Sequence, residues 1–186
     1  MSARIVVVSG CSGSGKTTVS RILAENSGYE KAVYIEVDDF WQYIHKGYID
    51  PWLENTGDQN ETVSKAVAAS AKIYSENGYE VFAAGFIGPW FLKPWEKLAK
   101  KGFDVRYVVL RPDEETTVMR VTGREKNEFF PLSPQIVRDL WISMTNLGKY
   151  ELNVVDTTGQ TIDESVKIIQ KMLSENAFQI YTKKRK

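Results

Sequence analysis

A single α/β domain, with a five-stranded parallel sheet between layers of helices, is the fold that this sequence predicts. Three observations predict it. Apolar, strand-like runs alternate with helical patterns along the whole 186-residue chain, the mark of parallel βαβ units. The first run, Arg4–Ser9, is continuously apolar and β-branched, as a central strand covered on both faces requires. It leads directly into Gly10-Cys11-Ser12-Gly13-Ser14-Gly15-Lys16-Thr17, a G-x-x-x-x-G-K-T loop that opens a helical pattern.

The elements follow in order. Thr17–Asn26 reads as a helix, with Val19, Ile22 and Leu23 on one face and Gly28 beyond its end. Ala32–Val37 is the second strand, and Asp38-Asp39 comes straight after it. A short helix is expected near Phe40–His45, with His45 on its face, then a loop through Gly47, Pro51 and Gly57. Val63, Val67, Ala71 and Tyr74 recur at helical spacing over Thr62–Asn77, and Asn77-Gly78 ends that helix. Glu80–Ala84 is the third strand, followed by a turn, Gly85 to Trp90. Leu92–Lys101 is a helix with Pro94 allowed near its start. Val105–Leu110 is the fourth strand, Asp113–Thr122 a helix and Gly123–Ser133 a polar segment. Pro134–Leu147 is helical, Asn153–Asp156 is the fifth strand, and Ile162–Ser174 is the last helix. Right-handed crossovers leave few topologies, and ligands in such sheets sit at the C-terminal edge.

Composition narrows the function. The formal net charge is zero, so no overall field draws the chain to nucleic acid or to an anionic membrane. The basic end Lys183–Lys186 reads as a solvated terminus. Cys11 is the only cysteine, which excludes an intrachain disulfide and fits a reducing cytoplasm. The N-terminal apolar run is too short for a leader or a membrane span.

The chemistry of the first loop explains its spacing. Small residues let successive backbone N–H groups curl around phosphates, and the helix N-terminus adds positive potential there. Gly10, Ser12, Gly13, Ser14, Gly15, Lys16, Thr17 and Thr18 are therefore the expected nucleotide-binding set. Lys16 would neutralise phosphate oxygens from an exposed position on the loop, and the Thr17 hydroxyl would hold Mg²⁺.

The other strand ends carry candidates with competing readings. Asp38 and Asp39 are suited to accept a hydroxyl proton and to orient Mg²⁺, or else to cap the next helix. Strand alternation puts Asp38 with Tyr34 and Glu36, and Asp39 with Ile35 and Val37. The third strand ends Phe82-Ala83-Ala84-Gly85, without the acidic residue of motor-type ATPases, and no Asn-Lys-x-Asp guanine-reading motif occurs. Arg111 ends the fourth strand. Arg120 and Arg124 are four apart and suit a lid over phosphates near residues 123–133, or a salt-bridged surface helix. Asp156-Thr157-Thr158-Gly159 offers either a loop along an adenine or a simple turn before a helix capped at Thr161 or Asp163.

In this order, the Gly10–Thr17 loop, Val37-Asp38-Asp39-Phe40, Arg120-x-x-x-Arg124 and Val155-Asp156-Thr157-Thr158 resemble the small P-loop kinases. The chain is similar to the shikimate kinase, gluconate kinase and chloramphenicol phosphotransferase group, of nucleoside monophosphate kinase-like fold. That resemblance implies the strand order 2-3-1-4-5 and an ATP–Mg²⁺ site. It implies Asp38 as base, Arg120 and Arg124 as lid arginines, and Thr157 on the adenine loop. The chain departs from shikimate kinases at Gly85-Phe86-Ile87-Gly88, which replaces their double-glycine loop. The acceptor is expected near residues 40–60, where Trp, Tyr, Asp, Gln and Asn suit a neutral hydroxylated or aromatic molecule. The expected function is ATP- and Mg-dependent phosphoryl transfer to a small-molecule hydroxyl. Lys16, Asp38, Arg120 and Arg124 form the catalytic set, and Thr17 and Asp39 the metal set. The rivals are a nucleoside or nucleotide kinase, a sugar-nucleotide kinase like the zeta-type toxins, and a non-catalytic nucleotide-binding regulator. The sequence sets no oligomeric state.

Overall fold

Strand β1 (Ile5–Ser9) has no exposed residue, and the sheet is built outward from it. The computed structural model describes residues 2–123 and 133–180. Strands β2 (Lys31–Glu36), β3 (Tyr79–Gly85), β4 (Val105–Leu110) and β5 (Val154–Val155) join β1 in one parallel sheet, in the order β2-β3-β1-β4-β5. Because every strand runs the same way, all the C-terminal ends meet at one edge.

The two-residue period of β1 divides the core. Val6 and Val8 face one layer, where they meet Val19 and Leu23 of α1 (Lys16–Glu25) and Val166, Ile169 and Leu173 of α7 (Ile162–Ser174). Ile5 and Val7 face the other layer. There α3 (Gly57–Glu76) presents Val63, Val67 and Ala71, and α4 (Lys93–Lys100) presents Trp95 and Leu98. Each fully buried aliphatic side chain contributes about 1.5–3 kcal/mol, so this sandwich supplies the rigidity that the site at its edge needs. Helices α2 (Asp39–Gln42), α5 (Glu114–Thr122) and α6 (Pro134–Ser143) complete the set.

The structure departs from the sequence reading in four places, each for a local reason. Helix α2 stops at Gln42, so His45 is exposed beyond it and not on a helix face. Helix α3 begins at Gly57, five residues before the expected Thr62. The polar residues that looked like loop are structural instead. Gln59 accepts from Ile49 N (2.9 Å) and donates to Ile49 O (2.6 Å). Buried Asn60 accepts from Trp41 Nε1 (2.9 Å) and donates to Pro51 O (2.8 Å). Helix α6 gives way to a 3-10 turn over Gly148–Asn153, and β5 keeps only two residues. The lower edge of β4, which short β5 leaves uncovered, is taken by the C-terminal segment. Tyr107 N donates to Phe178 O (2.8 Å), and Ile180 N donates to Val105 O (3.2 Å). A strand edge left bare would invite pairing with other chains.

The Asn60 linkage yields a prediction. Asn60→Ala strips the buried Trp41 N–H and the Pro51 carbonyl of partners, and stability should fall by about 1–3 kcal/mol. A shift in denaturation midpoint at unchanged m-value measures it. An unchanged midpoint would show that the segment over residues 48–56 is held by other contacts.

Candidate active site

The loop after β1 is shaped by glycines that cannot be replaced. Gly10 has φ 149°, and a Cβ there would stand 2.4 Å from the Leu110 carbonyl oxygen. Gly13 has φ 88°, and its Cβ would meet Thr117 O at 2.6 Å. The backbone thus passes too close to β4 and α5 for any side chain. Ser14 N donates to Cys11 O (3.1 Å), and Gly15 stands at the start of α1, whose first amides lack intrahelical partners. Ser12 is half-buried and Thr18 exposed. Burial pushes the Cys11 thiol up to about 11, so it stays neutral and unreactive.

Lys16 corrects an expectation. It is not exposed on the loop but is 8% exposed, the first residue of α1. The loop folds back over it, enclosing a cation without a carboxylate ion pair among the described residues. Beside it lie polar atoms in the same condition: Ser14 Oγ and Glu36 Oε1 are buried and have no hydrogen-bond partner among the described residues. Buried polar atoms are costly when unpaired. A phosphate chain with a divalent cation offers the missing partners, so these residues fit that ligand.

The acids come from β2. Tyr34, Glu36 and Asp38 share one face of the strand and its continuation. Thr17 Oγ1 donates to Glu36 Oε2 (3.2 Å), and the Tyr34 hydroxyl donates to the same oxygen. The Arg21 guanidinium lies over the Tyr34 ring at 5.1 Å. Burial holds the Glu36 carboxyl above its ordinary pKa; the Tyr34 hydrogen bond opposes this and the Asp38 charge adds to it. Asp38 is also raised, first by burial. The Lys16 charge and the Phe86 backbone N–H work against that rise, and Asp39 adds to it. Lys16, Thr17, Glu36 and Asp38 are therefore one electrostatic cluster.

The capping alternative for the acids fails. Asp38 occupies the position before α2, but its side chain makes no cap hydrogen bond. Asp39 sits in the first turn of α2 and makes no hydrogen bond or ion pair to Thr17 or Lys16 among the described residues. The carboxylate that meets Thr17 is Glu36, which the sequence reading passed over. The signal was present, because Glu36 lies in the same alternation as Asp38. Among the described residues no group of three or more His, Cys, Asp or Glu stands ready to hold a metal. A cation here would share ligand oxygens, as Mg²⁺ with one or two carboxylates usually does.

The turn after β3 is bolted to the sheet. Ser9 Oγ donates to Ile87 O (2.9 Å) and accepts from Ile87 N (3.1 Å), and the Tyr107 hydroxyl donates to Ile87 O (2.7 Å). Gly85 packs against Val37, where a Cβ would come within 2.6 Å. No carboxylate stands at this strand end.

On the far side, Arg120 of α5 reaches the Thr157 carbonyl at 3.5 Å, so the structure brings these two together. Thr157 is buried, and its Oγ1 has no partner among the described residues. Both readings of this loop hold at once, since Thr161 caps α7 through a reciprocal box with Glu164. An open hollow of about 460 Å³ lies against Thr158, Gly159, Gln160, Glu164, Lys167 and Ile168, on this side and away from Asp38. Arg111 is engaged, pairing with both Glu151 oxygens (3.1 and 2.9 Å) and with Met144 O. Arg124 and most of the expected lid lie outside the described residues.

Known proteins place this geometry. A sugar kinase from Janibacter sp. is 21% identical, with a TM-score of 0.69, covering 92% of this chain and 95% of that one. A gluconokinase from Sinorhizobium meliloti is 20% identical, TM-score 0.66, covering 92% of both. Shikimate kinase from Acinetobacter baumannii, solved with shikimate, is 21% identical, TM-score 0.63, covering 96% of this chain and 97% of that one. At these identities they share the fold. Among curated proteins, none matches the chain in sequence. The family model described as an AAA domain matches residues 5–139, well over half of the chain and including the loop, the β2 acids and Arg120, and the chain belongs to this P-loop family.

Proposed function

We propose that this protein is an ATP- and Mg-dependent kinase that transfers a phosphoryl group to a hydroxyl of a small molecule. One observation carries the reading: Lys16, Thr17, Glu36 and Asp38 converge in one half-buried cluster at the sheet edge. A P-loop that only bound nucleotide would have no use for a second acid with a raised pKa in the space beyond the phosphates.

The residues divide the work. Gly10, Ser12, Gly13, Ser14, Gly15 and Thr18 cradle the phosphates, and Lys16 and Arg120, with Arg124, offset charge on the transferring group. Thr17, with Glu36 against it, holds Mg²⁺, which when bound supplies positive charge to the phosphate oxygens. Asp39 acts on Asp38 through its charge and stands at the edge of this shell. Asp38 takes the hydroxyl proton as the oxygen attacks phosphorus. Thr157 lines the base end. No helix among the described residues is long and apolar enough to cross a membrane, and the proposed setting is the cytoplasm.

The test is transfer of label from the γ-phosphate of ATP to pooled alcohols, sugars and nucleosides. Label should move to an organic acceptor. Label that appears only as inorganic phosphate, or remains on ATP, with the whole panel present contradicts the reading. A nucleotide-binding regulator predicts that Asp38→Ala leaves every activity intact.

The raised Asp38 pKa sets a pH dependence. A base must be ionised to accept a proton, and burial keeps Asp38 protonated at a pH where a free carboxylate, with pKa near ~3.9, is charged. Activity should therefore fall with decreasing pH while still above that ordinary value. Lys16 lowers the Asp38 pKa, so Lys16→Met should move the acid limb further up. Single-turnover rates across pH check both statements. An acid limb at or below the free-carboxylate value would remove Asp38 as the base.

A further inference from the structure

The space in front of Asp38 is walled by aromatic rings. We propose that the acceptor carries a flat, uncharged ring that stacks on Trp90 while its hydroxyl meets Asp38; this rests on the kinase reading above.

Trp90 is half-exposed, at 50%, whereas Trp95 nearby is 1% exposed. A large exposed indole is normally mobile, but this one is held. Its ring lies against Gly88, where a Cβ would come within 2.3 Å of the indole. Phe86 and Phe91 flank it, with ring centroids at 6.3 and 6.2 Å. The backbone beneath is the turn clamped by Ser9 and Tyr107 at Ile87. Strand β2 pairs with β3 up to Glu36↔Ala84, so the chain leaving β2 emerges beside this turn. That chain carries Asp38 and then Phe40 and Tyr43, whose rings are 5.5 Å apart, with Tyr43 66% exposed. Two adjacent strand ends thus raise aromatic side chains on either side of Asp38, and Asp38 is itself influenced by the Phe86 N–H.

Charge decides against an anionic acceptor. A carboxylate or phosphate acceptor calls for a guanidinium fork. Among the described arginines, Arg4, Arg106, Arg111 and Arg138 pair with Glu80, Asp104, Glu151 and Glu114. Arg21 covers Tyr34 and Arg120 bonds Thr157. The wall itself bears Asp38 and Asp39. An open-chain polyol calls for several free polar side chains, and Gln59, Asn60 and Thr56 are spent on backbone groups of residues 49–53. What remains is π-surface, whose preferred partner is another flat ring.

Two ring sources share this chemistry, nucleosides and aryl or benzylic alcohols, and the panel separates them. Adenosine and thymidine form one arm, 4-nitrobenzyl alcohol and phenylpropanediols the second, gluconate, shikimate and sorbitol the third. Transfer should occur in one of the first two arms. Against the active ring alcohol, Trp90→Ala should raise KM about 10-fold or more, the scale of a lost stacking contact, and Trp90→Phe should restore most of it. Gly88→Ala, at a backbone φ of −76° open to any residue, should give the same rise by pushing the indole aside. Affinity for Mg·ATP measured without acceptor should hold in all three variants. Transfer to the third arm alone, or a KM indifferent to Trp90→Ala, overturns the ring seat and leaves the kinase reading standing. Ring alcohols that bind the Mg·ADP-loaded protein in a Trp90-dependent way, yet never receive phosphate, keep the seat and sink the kinase reading. Failure of every ring alcohol both to bind and to react overturns the proposal.

Discussion

Lys16→Met should lower phosphoryl transfer by about 10²–10³-fold, the cost of removing one preorganised positive group from a developing charge. Methionine keeps the apolar stem, and that choice matters because Lys16 is buried. Alanine would leave a void beneath the loop and confuse lost packing with lost charge. With Met the far-UV spectrum should be retained and the melting temperature should change little, while ATP affinity and turnover both fall. The acids respond too: without the Lys16 charge, Glu36 and Asp38 hold their protons to higher pH. Wild-type turnover in Lys16→Met would mean that the buried ammonium serves the fold and not the phosphates.

The second large effect separates three carboxylates that lie within four residues. Asp38→Asn should slow the transfer step by about 10²–10⁴-fold, the usual range for a lost general base. Phosphoryl transition states are loose, with late proton transfer, so the lower part of that range is expected. ATP binding should be nearly intact. Glu36→Gln should act differently, raising the Mg²⁺ concentration needed for half-maximal rate, because Glu36 is the carboxylate in contact with Thr17. Asp39→Asn should have the smallest effect, since Asp39 meets neither Thr17 nor Lys16 and reaches Asp38 only through its charge. Single-turnover rates at saturating Mg·ATP, repeated across Mg²⁺ concentrations, distinguish the three. A large loss in Asp39→Asn with normal Asp38→Asn would exchange their assignments.

Much of this arrangement is legible in the sequence because it rests on local periodicity. The unbroken apolar run of β1 requires cover on both faces, and the structure divides Val6 and Val8 from Ile5 and Val7 accordingly. The glycine spacing of the first loop requires close backbone approach, and Gly10 and Gly13 provide it. What the sequence hides depends on tertiary contacts. Lys16 looks like a loop residue until the loop is seen to fold over it. Gln59 and Asn60 look like ligand groups until their partners, Ile49, Trp41 and Pro51, are known. Glu36 was missed for a different reason. It lies inside a strand, where a polar residue reads as a solvent-facing alternate, and only the approach of α1 from that side turns it toward Thr17. The Trp90 seat depends on the Gly88 contact, which no periodic pattern announces.

The most direct test of the central claim follows γ-labelled ATP in a single turnover with an active acceptor, in wild type and in Asp38→Asn. Label should pass to the acceptor hydroxyl in wild type, and remain on bound ATP in Asp38→Asn over the same interval. Equal transfer in both proteins, or label lost only to water in wild type, would contradict the account.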